Sequence, residues 1–152
     1  MRAAAMAAFG RLPAGLRRVL VRLGSPSYTV GAVLVLRLAD GRVLLVDQRH
    51  TGAWALPGGL LRRGEDPVAG VVREVAEEVD VVLDPAELGV PQALVAPRAQ
   101  RVDLVFVLDT ADDRHARTGD AAEVKRIGWF HPTGWPELSE PTRDILDAVL
   151  PR

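Results

Sequence analysis

Three glutamates, Glu74, Glu77 and Glu78, stand at i, i+3 and i+4 in a stretch that reads as helix. At about 100° per residue, Val68, Val71, Val72, Val75 and Val79 gather on one side of that helix and the glutamates are expected on the opposite side. A core explains the valine side, each buried side chain contributing roughly 1.5–3 kcal/mol to folding. The glutamate side is costly. Like charges at these spacings destabilise an isolated helix by a few tenths of a kcal/mol per pair, and these lie in the C-terminal half, where the helix dipole disfavours anions. Arg73 neutralises only part of the charge. Two readings follow, a solvated acidic face or a hard divalent cation such as Mg²⁺ held by carboxylate, carbonyl and water oxygens. Spacing alone does not choose between them.

The elements that must carry this helix are legible around it. Tyr28 to Leu36 is rich in apolar and β-branched residues, Ala39-Asp40-Gly41 supplies turn chemistry, and Val43 to Val46 forms a second run, which predicts a β-hairpin. Trp54-Ala55-Leu56 reads as a third strand, stopped by Pro57-Gly58-Gly59, after which a loop is expected. Asp66 as N-cap and Pro67 at the first helical position start the acidic helix, which should run to about Val79. Strands are expected near Ala93 to Ala96, Val102 to Leu108 and Val124 to Phe130. A polar loop, Asp109 to Glu123, should join the last two, and a closing helix should run from about Pro141 to Leu150. This order predicts an α+β fold, an αβα sandwich around a mixed sheet.

Composition bounds the rest. A chain of 152 residues with 48% hydrophobic content suits one compact domain, and a net charge of −1 argues against a dedicated nucleic-acid binder. Without cysteine, disulfides, thiolate metal sites and a cysteine nucleophile are excluded. Charge is uneven: Arg2, Arg11, Arg17, Arg18 and Arg22 precede the first acid, Asp40. Among them Leu12, Leu16, Val19, Leu20 and Leu23 recur at helical spacing, so residues 1–25 are expected to be a basic amphipathic helical extension, with 26–152 as the main domain. A surface-seeking or targeting role is conceivable for the extension, but packing on its own domain or on a dimer mate is the preferred reading. No apolar run is long enough to span a bilayer, so the chain is expected to be soluble and cytoplasmic, with no membrane or nucleic-acid partner and with a homodimer left open.

The order Gly59, five residues, Glu65, seven residues, then Arg73-Glu74-Val75-Ala76-Glu77-Glu78-Val79-Asp80-Val81 closely resembles the Nudix box of the Nudix hydrolase family. The preceding Trp54-Ala55-Leu56-Pro57-Gly58-Gly59 and the order of elements share the resemblance, which spans roughly Tyr28 to Leu150. One position departs from the pattern: Asp80 stands where the family usually has glycine, at a helix exit that favours a left-handed backbone.

The resemblance implies a mixed sheet between helices and Mg²⁺-dependent hydrolysis of a diphosphate bond in a nucleotide substrate, with Mn²⁺ able to substitute. By position, Glu74, Glu77, Glu78 and the Gly58 carbonyl would hold metal, with Glu77 and Glu78 catalytic, while Gly59, Glu65 and Arg73 would support the site. A general base comes from the box or a later loop. That loop offers Asp109, Asp112, Asp113, Asp120 and Glu123, of which Glu123 is favoured and Asp120 is next. Among Arg49, Arg62, Arg63, Arg98 and Arg101, the first choices for the substrate phosphates are Arg49 and Arg98. Pro97, sixteen residues past the box, resembles a proline of family members acting on ADP-ribose and slightly favours such a nucleotide sugar over an oxidised or ordinary nucleoside triphosphate. Two further readings stand beside hydrolysis. Isopentenyl diphosphate isomerisation normally needs the cysteine this chain lacks, and a non-catalytic nucleotide sensor usually loses the glutamates retained here.

Overall fold

The computed structural model describes residues 9–150. After α1 (Ala14–Gly24), seven strands form one mixed sheet: β1 (Thr29–Leu38), β2 (Val43–Gln48), β3 (Trp54–Ala55), β4 (Gly58–Leu60), β5 (Gln92–Ala96), β6 (Arg101–Thr110) and β7 (Val124–Phe130). α2 (Pro67–Val79) lies between β4 and β5 in the chain, and α3 (Glu140–Val149) closes the fold. Alternation along β1 and β2 makes two cores. Ala32, Leu34, Leu36, Leu44 and Val46 face Val71, Val75 and Val79 of α2, whereas Val35, Val43 and Leu45 face Ile145 and Leu146 of α3. Both sheet faces are covered, giving the expected αβα sandwich.

The hairpin opens almost at once. β1 meets β2 only at Arg37 and Val43, around a turn in which Gly41 takes φ +88°. Over its full length β1 instead pairs in parallel with β6, from Thr29 opposite Arg101 to Leu38 opposite Thr110. β2 pairs with β7 and β3, so the hairpin joins two halves of the sheet.

Two expectations need correcting here. Leu56 leaves the third strand because its N–H donates to Thr142 Oγ1 of α3 at 3.1 Å. Gly58-Gly59, expected only to stop the preceding strand ahead of a loop, form strand β4, with Val33 opposite Gly58 and Ala32 opposite Gly59. Glycine permits this approach: at Gly58, φ +139°, a Cβ would lie 2.4 Å from the Ala32 carbonyl oxygen.

α2 matches its sequence signals closely. Asp66 Oδ1 accepts the N–H groups of Val68 and Ala69, Pro67 occupies the first turn, and Asp80 ends the helix in the left-handed conformation at φ 54°, ψ 29°. The apolar stripe of α1 is not packed on the domain, which removes one of the two covers expected for it: Leu16 is 46% exposed and Leu23 80%. Its first leucine, Leu12, lies in the turn before the helix rather than in it.

These burials predict a contrast. Val75→Ala, in the α2 core, should cost about 2 kcal/mol in urea unfolding, whereas Leu16→Ala should leave the midpoint of the sandwich unchanged. Equal losses from the two would contradict the packing described.

Candidate active site

Glu78 does not sit opposite the valines. Its direction on the helix falls within about 20° of Val71, at the margin of the core face, and it is 5% exposed. The clean separation expected between glutamates and valines therefore holds for Glu77 and Glu74 but not for Glu78. One oxygen, Oε2, accepts the Gly58 N–H at 2.8 Å. Burial pushes the Glu78 carboxyl up to about 7; the Gly58 hydrogen bond works against this, while the charges of Glu74, Glu123 and Glu77 add to it. The charges of two further helix glutamates and of one acid from a distant loop are therefore felt at Glu78.

Arg73 organises the other two helix carboxylates. Its Nη1 donates to Glu74 Oε1 at 2.7 Å and to Glu77 Oε2 at 3.2 Å, and its Nε and Nη2 grip both oxygens of Glu65 at 2.8 and 3.0 Å. Glu65 also accepts the Arg62 N–H at 2.7 Å, and the Arg73 fork first, then that amide, hold its carboxyl down to about 2. The β4–α2 loop is thus fastened to the helix by a bidentate pair. Gly59 leaves room for this arrangement: a Cβ there would lie 2.6 Å from the Glu74 carboxyl carbon.

The loop between β6 and β7 clamps the end of α2. Asp120, Gly119 and Arg117 donate their backbone N–H groups to the carbonyls of Glu77, Glu78 and Val79 at 2.7, 2.9 and 3.0 Å. These carbonyls belong to the last helical turn and have no partner within the helix. Arg117 also pairs with Asp80, the residue that replaces glycine at the helix exit. Of the loop acids, Asp109 lies in β6 and pairs with Arg37, while Asp112, Asp113 and Asp120 accept backbone N–H groups two residues ahead. Glu123 is exposed, and among the described residues its carboxylate makes no hydrogen bond or ion pair.

A cleft of about 510 Å³ opens beside β4, lined by Gly58, Gly59, His50, Arg101, Asp103 and Thr142 among others. It shares Arg101 and Asp103 with a second cavity of about 690 Å³ under the β5–β6 turn, which includes Pro97 and Arg98. Asp103 is 6% exposed and accepts from Arg101 Nε at 2.8 Å. Arg98 thus lines the outer cavity, whereas Arg49 Nε is bound to the Ala121 carbonyl at 2.6 Å and its amide to Glu123 O at 3.0 Å. Pro97 ends β5 directly and accepts the Gln100 N–H in the turn. Asp103 was passed over in the sequence. Its signal was an acid inside the otherwise apolar run Val102 to Leu108.

The protein is a mixed sheet between helices, with an acidic helix joined to a diglycine strand through Glu78 and to the intervening loop through Arg73. A family model described as NUDIX domain matches residues 27–149, so the chain belongs to the Nudix family. It is 32% identical over 116 residues to an ADP-ribose pyrophosphatase from Methanocaldococcus jannaschii, covering 73% of this chain and 67% of that protein. Against Nudix hydrolase 7 of Arabidopsis thaliana it is 31% identical over 111 residues, 68% of this chain but 39% of the plant protein. The chain thus spans well under half of that relative's length. A solved MutT NUDIX hydrolase from Burkholderia pseudomallei superposes with a TM-score of 0.67 at 27% identity, covering 82% of this chain and 99% of its own. Among the described residues no helix is long and apolar enough to cross a membrane.

Members of the family generally use a divalent metal, and the donor chemistry here fits one. Glu74, Glu77 and Glu78 offer hard carboxylate oxygens, and the Glu78 carboxyl, raised first by burial and then by its acidic neighbours, is one whose charged form a cation would favour. Among the described residues no three such side chains converge, because Arg73 holds Glu74 and Glu77 while the Gly58 amide holds Glu78. Gathering them requires Arg73 to share its partners.

Glu78 sets a pH test. Without divalent cations the native protein keeps a proton on Glu78 that the unfolded chain, at its ordinary value of 4.5, gives up earlier. Stability should therefore fall as pH rises from about 4.5 through about 7, by roughly 3 kcal/mol. Glu78→Gln, which can still accept the Gly58 N–H, should lose this fall and lose any rise in Tm on adding Mg²⁺. A wild-type Tm that climbs across the same window would contradict the burial argument.

Proposed function

We propose that this chain hydrolyses a diphosphate bond in a nucleoside diphosphate linked to a second moiety. Mg²⁺, or Mn²⁺ in its place, would be held by Glu74, Glu77, Glu78 and the Gly58 carbonyl. The observation that carries this reading is the buried Glu78 carboxylate, repelled by Glu74, Glu123 and Glu77 and hydrogen-bonded to Gly58, a residue that itself lines the cleft. When bound, the cation would neutralise the diphosphate and make a water acidic enough to attack phosphorus. Residues 26–152 would form the hydrolase domain, with 1–25 as an extension.

The chain's own residues then divide the work. Arg73, locked by Glu65, orients Glu74 and Glu77 and does not touch substrate. Glu123 takes the proton from the attacking water: its charge is felt at Glu78 and its carboxylate is free of other partners among the described residues, whereas Asp120 spends an oxygen on the Ala122 N–H. The clamp of Gly119 and Asp120 on the end of α2 ties the loop that carries Glu123 to the helix that carries Glu78. Arg101, steadied by Asp103, and Arg98 meet the phosphates or the second moiety along the two joined cavities. Arg49 braces the Glu123 loop through its Nε and its amide, and a phosphate would have to meet its remaining guanidinium nitrogens.

For substrate, ADP-ribose or a similar nucleotide sugar stands ahead of a nucleoside triphosphate. Supporting this are the ADP-ribose pyrophosphatase relative and the extended cavity under the Pro97 turn, which has room for a group beyond the diphosphate.

Glu77→Gln should lower turnover by orders of magnitude with the fold intact, because it removes charge and keeps shape. Glu123→Gln should lower kcat about 10²–10⁴-fold while Mg²⁺ still raises Tm. An unchanged rate and pH profile for Glu123→Gln would return the base to Asp120 or the box. Comparing kcat/KM for ADP-ribose, GDP-mannose, dGTP and 8-oxo-dGTP at equal Mg²⁺ tests the substrate. A clear preference for either triphosphate would overturn the nucleotide-sugar assignment while leaving the hydrolase reading intact.

A further inference from the structure

Hydrolysis at the acidic helix leaves α1 without a task, yet α1 is not a neutral surface helix. Every side chain described in it except that of Arg17 is exposed, and Leu16, Val19, Leu20 and Leu23 share one face at exposures of 46%, 51%, 43% and 80%. Around them the chain carries Arg2, Arg11, Arg17, Arg18 and Arg22, with no acid before Asp40. Pro13 opens the helix and Ser25-Pro26-Ser27 separates it from β1, so α1 can engage a partner without disturbing the sheet.

An uncovered apolar stripe of this kind calls for a cover, and its surroundings choose among covers. A second copy of α1 is a poor one. Eleven residues make a helix only about 16 Å long, and a stripe of four side chains falls far short of the roughly 800 Å² that each partner buries in a stable interface. Pairing would also bring two acid-free, arginine-rich segments together. A surface of anionic headgroups fits both halves of the helix. The leucines and valines enter the acyl boundary, while arginine stems lie along it and carry their guanidinium groups back to phosphate.

We propose that α1 is an interfacial helix that docks this chain on a lipid surface bearing anionic headgroups, the Leu16, Val19, Leu20 and Leu23 stripe inserted and Arg11, Arg17 and Arg18 on the headgroups. The composition-based expectation of no membrane partner rested on the lack of a spanning segment, which bears on crossing a bilayer and not on lying along one.

Flotation of the full chain with vesicles of phosphatidylcholine alone, and of an equal mixture with phosphatidylglycerol, tests this. The protein should float with the mixture and not with the neutral lipid, and added salt should weaken binding. Leu16→Glu with Leu20→Glu should reduce binding about tenfold or more, and Arg17→Gln with Arg18→Gln about fivefold per arginine, with the thermal unfolding of the sandwich unchanged in both. No flotation with the mixture, or equal flotation with neutral lipid, overturns the proposal. So does a chain that stays off both vesicles but self-associates in light scattering and loses that association in the Leu16→Glu, Leu20→Glu variant, an outcome that assigns the stripe to a second copy.

Discussion

A carboxylate held nearly out of water is the constraint around which the site is built. Glu78 lies at the edge of a valine face, where the core that stabilises α2 also desolvates the charge. One hydrogen bond from Gly58 offsets part of that cost, and it exists only because a residue without Cβ lets β4 lie against β1. The strand, the helix and the buried acid are therefore one arrangement. Loosening the glycine strand would remove the amide that Glu78 depends on, and thinning the valine core would flood the carboxylate with water.

Around this centre the protein manages repulsion by sharing cations and carbonyls. Arg73 spreads one fork over three glutamates, and because Glu65 takes the stronger, bidentate half, Glu74 and Glu77 are left partly engaged. Partial engagement is what a cation site requires, since fully satisfied carboxylates would not release their oxygens. At the helix end, where the dipole would add to the negative field, the loop before β7 supplies three backbone N–H groups to the exposed carbonyls. The same loop carries Glu123, whose charge adds to the rise at Glu78.

How far the chain could be read without coordinates varied with the range of the interactions involved. The ends of α2 were legible almost to the residue, because Asp66, Pro67 and Asp80 act on amides and backbone angles within a turn of themselves. Strands β5, β6 and β7 were legible from runs of apolar and β-branched residues. The diglycine strand was not, since glycine announces conformational freedom without saying that another strand will come close enough to need it. Leu56 was misplaced for a similar reason: the hydroxyl that draws its amide away belongs to Thr142, far along the chain.

By itself the sequence determined the class of chemistry. Carboxylates and arginine at fixed spacing on one helix, preceded by two glycines, are local facts that folding only positions, and the family match rests on them. Tertiary structure alone decided how deeply Glu78 is buried, which loop acid acts on its charge, that Arg49 braces a loop while Arg101 lines the cleft, and that the stripe of α1 is left uncovered by the domain. Each of these depends on which distant segment arrives to exclude water or supply an amide. Helical period measured Glu78 against its own neighbours, but only the packing of α2 on β1 and β4 set its exposure to solvent.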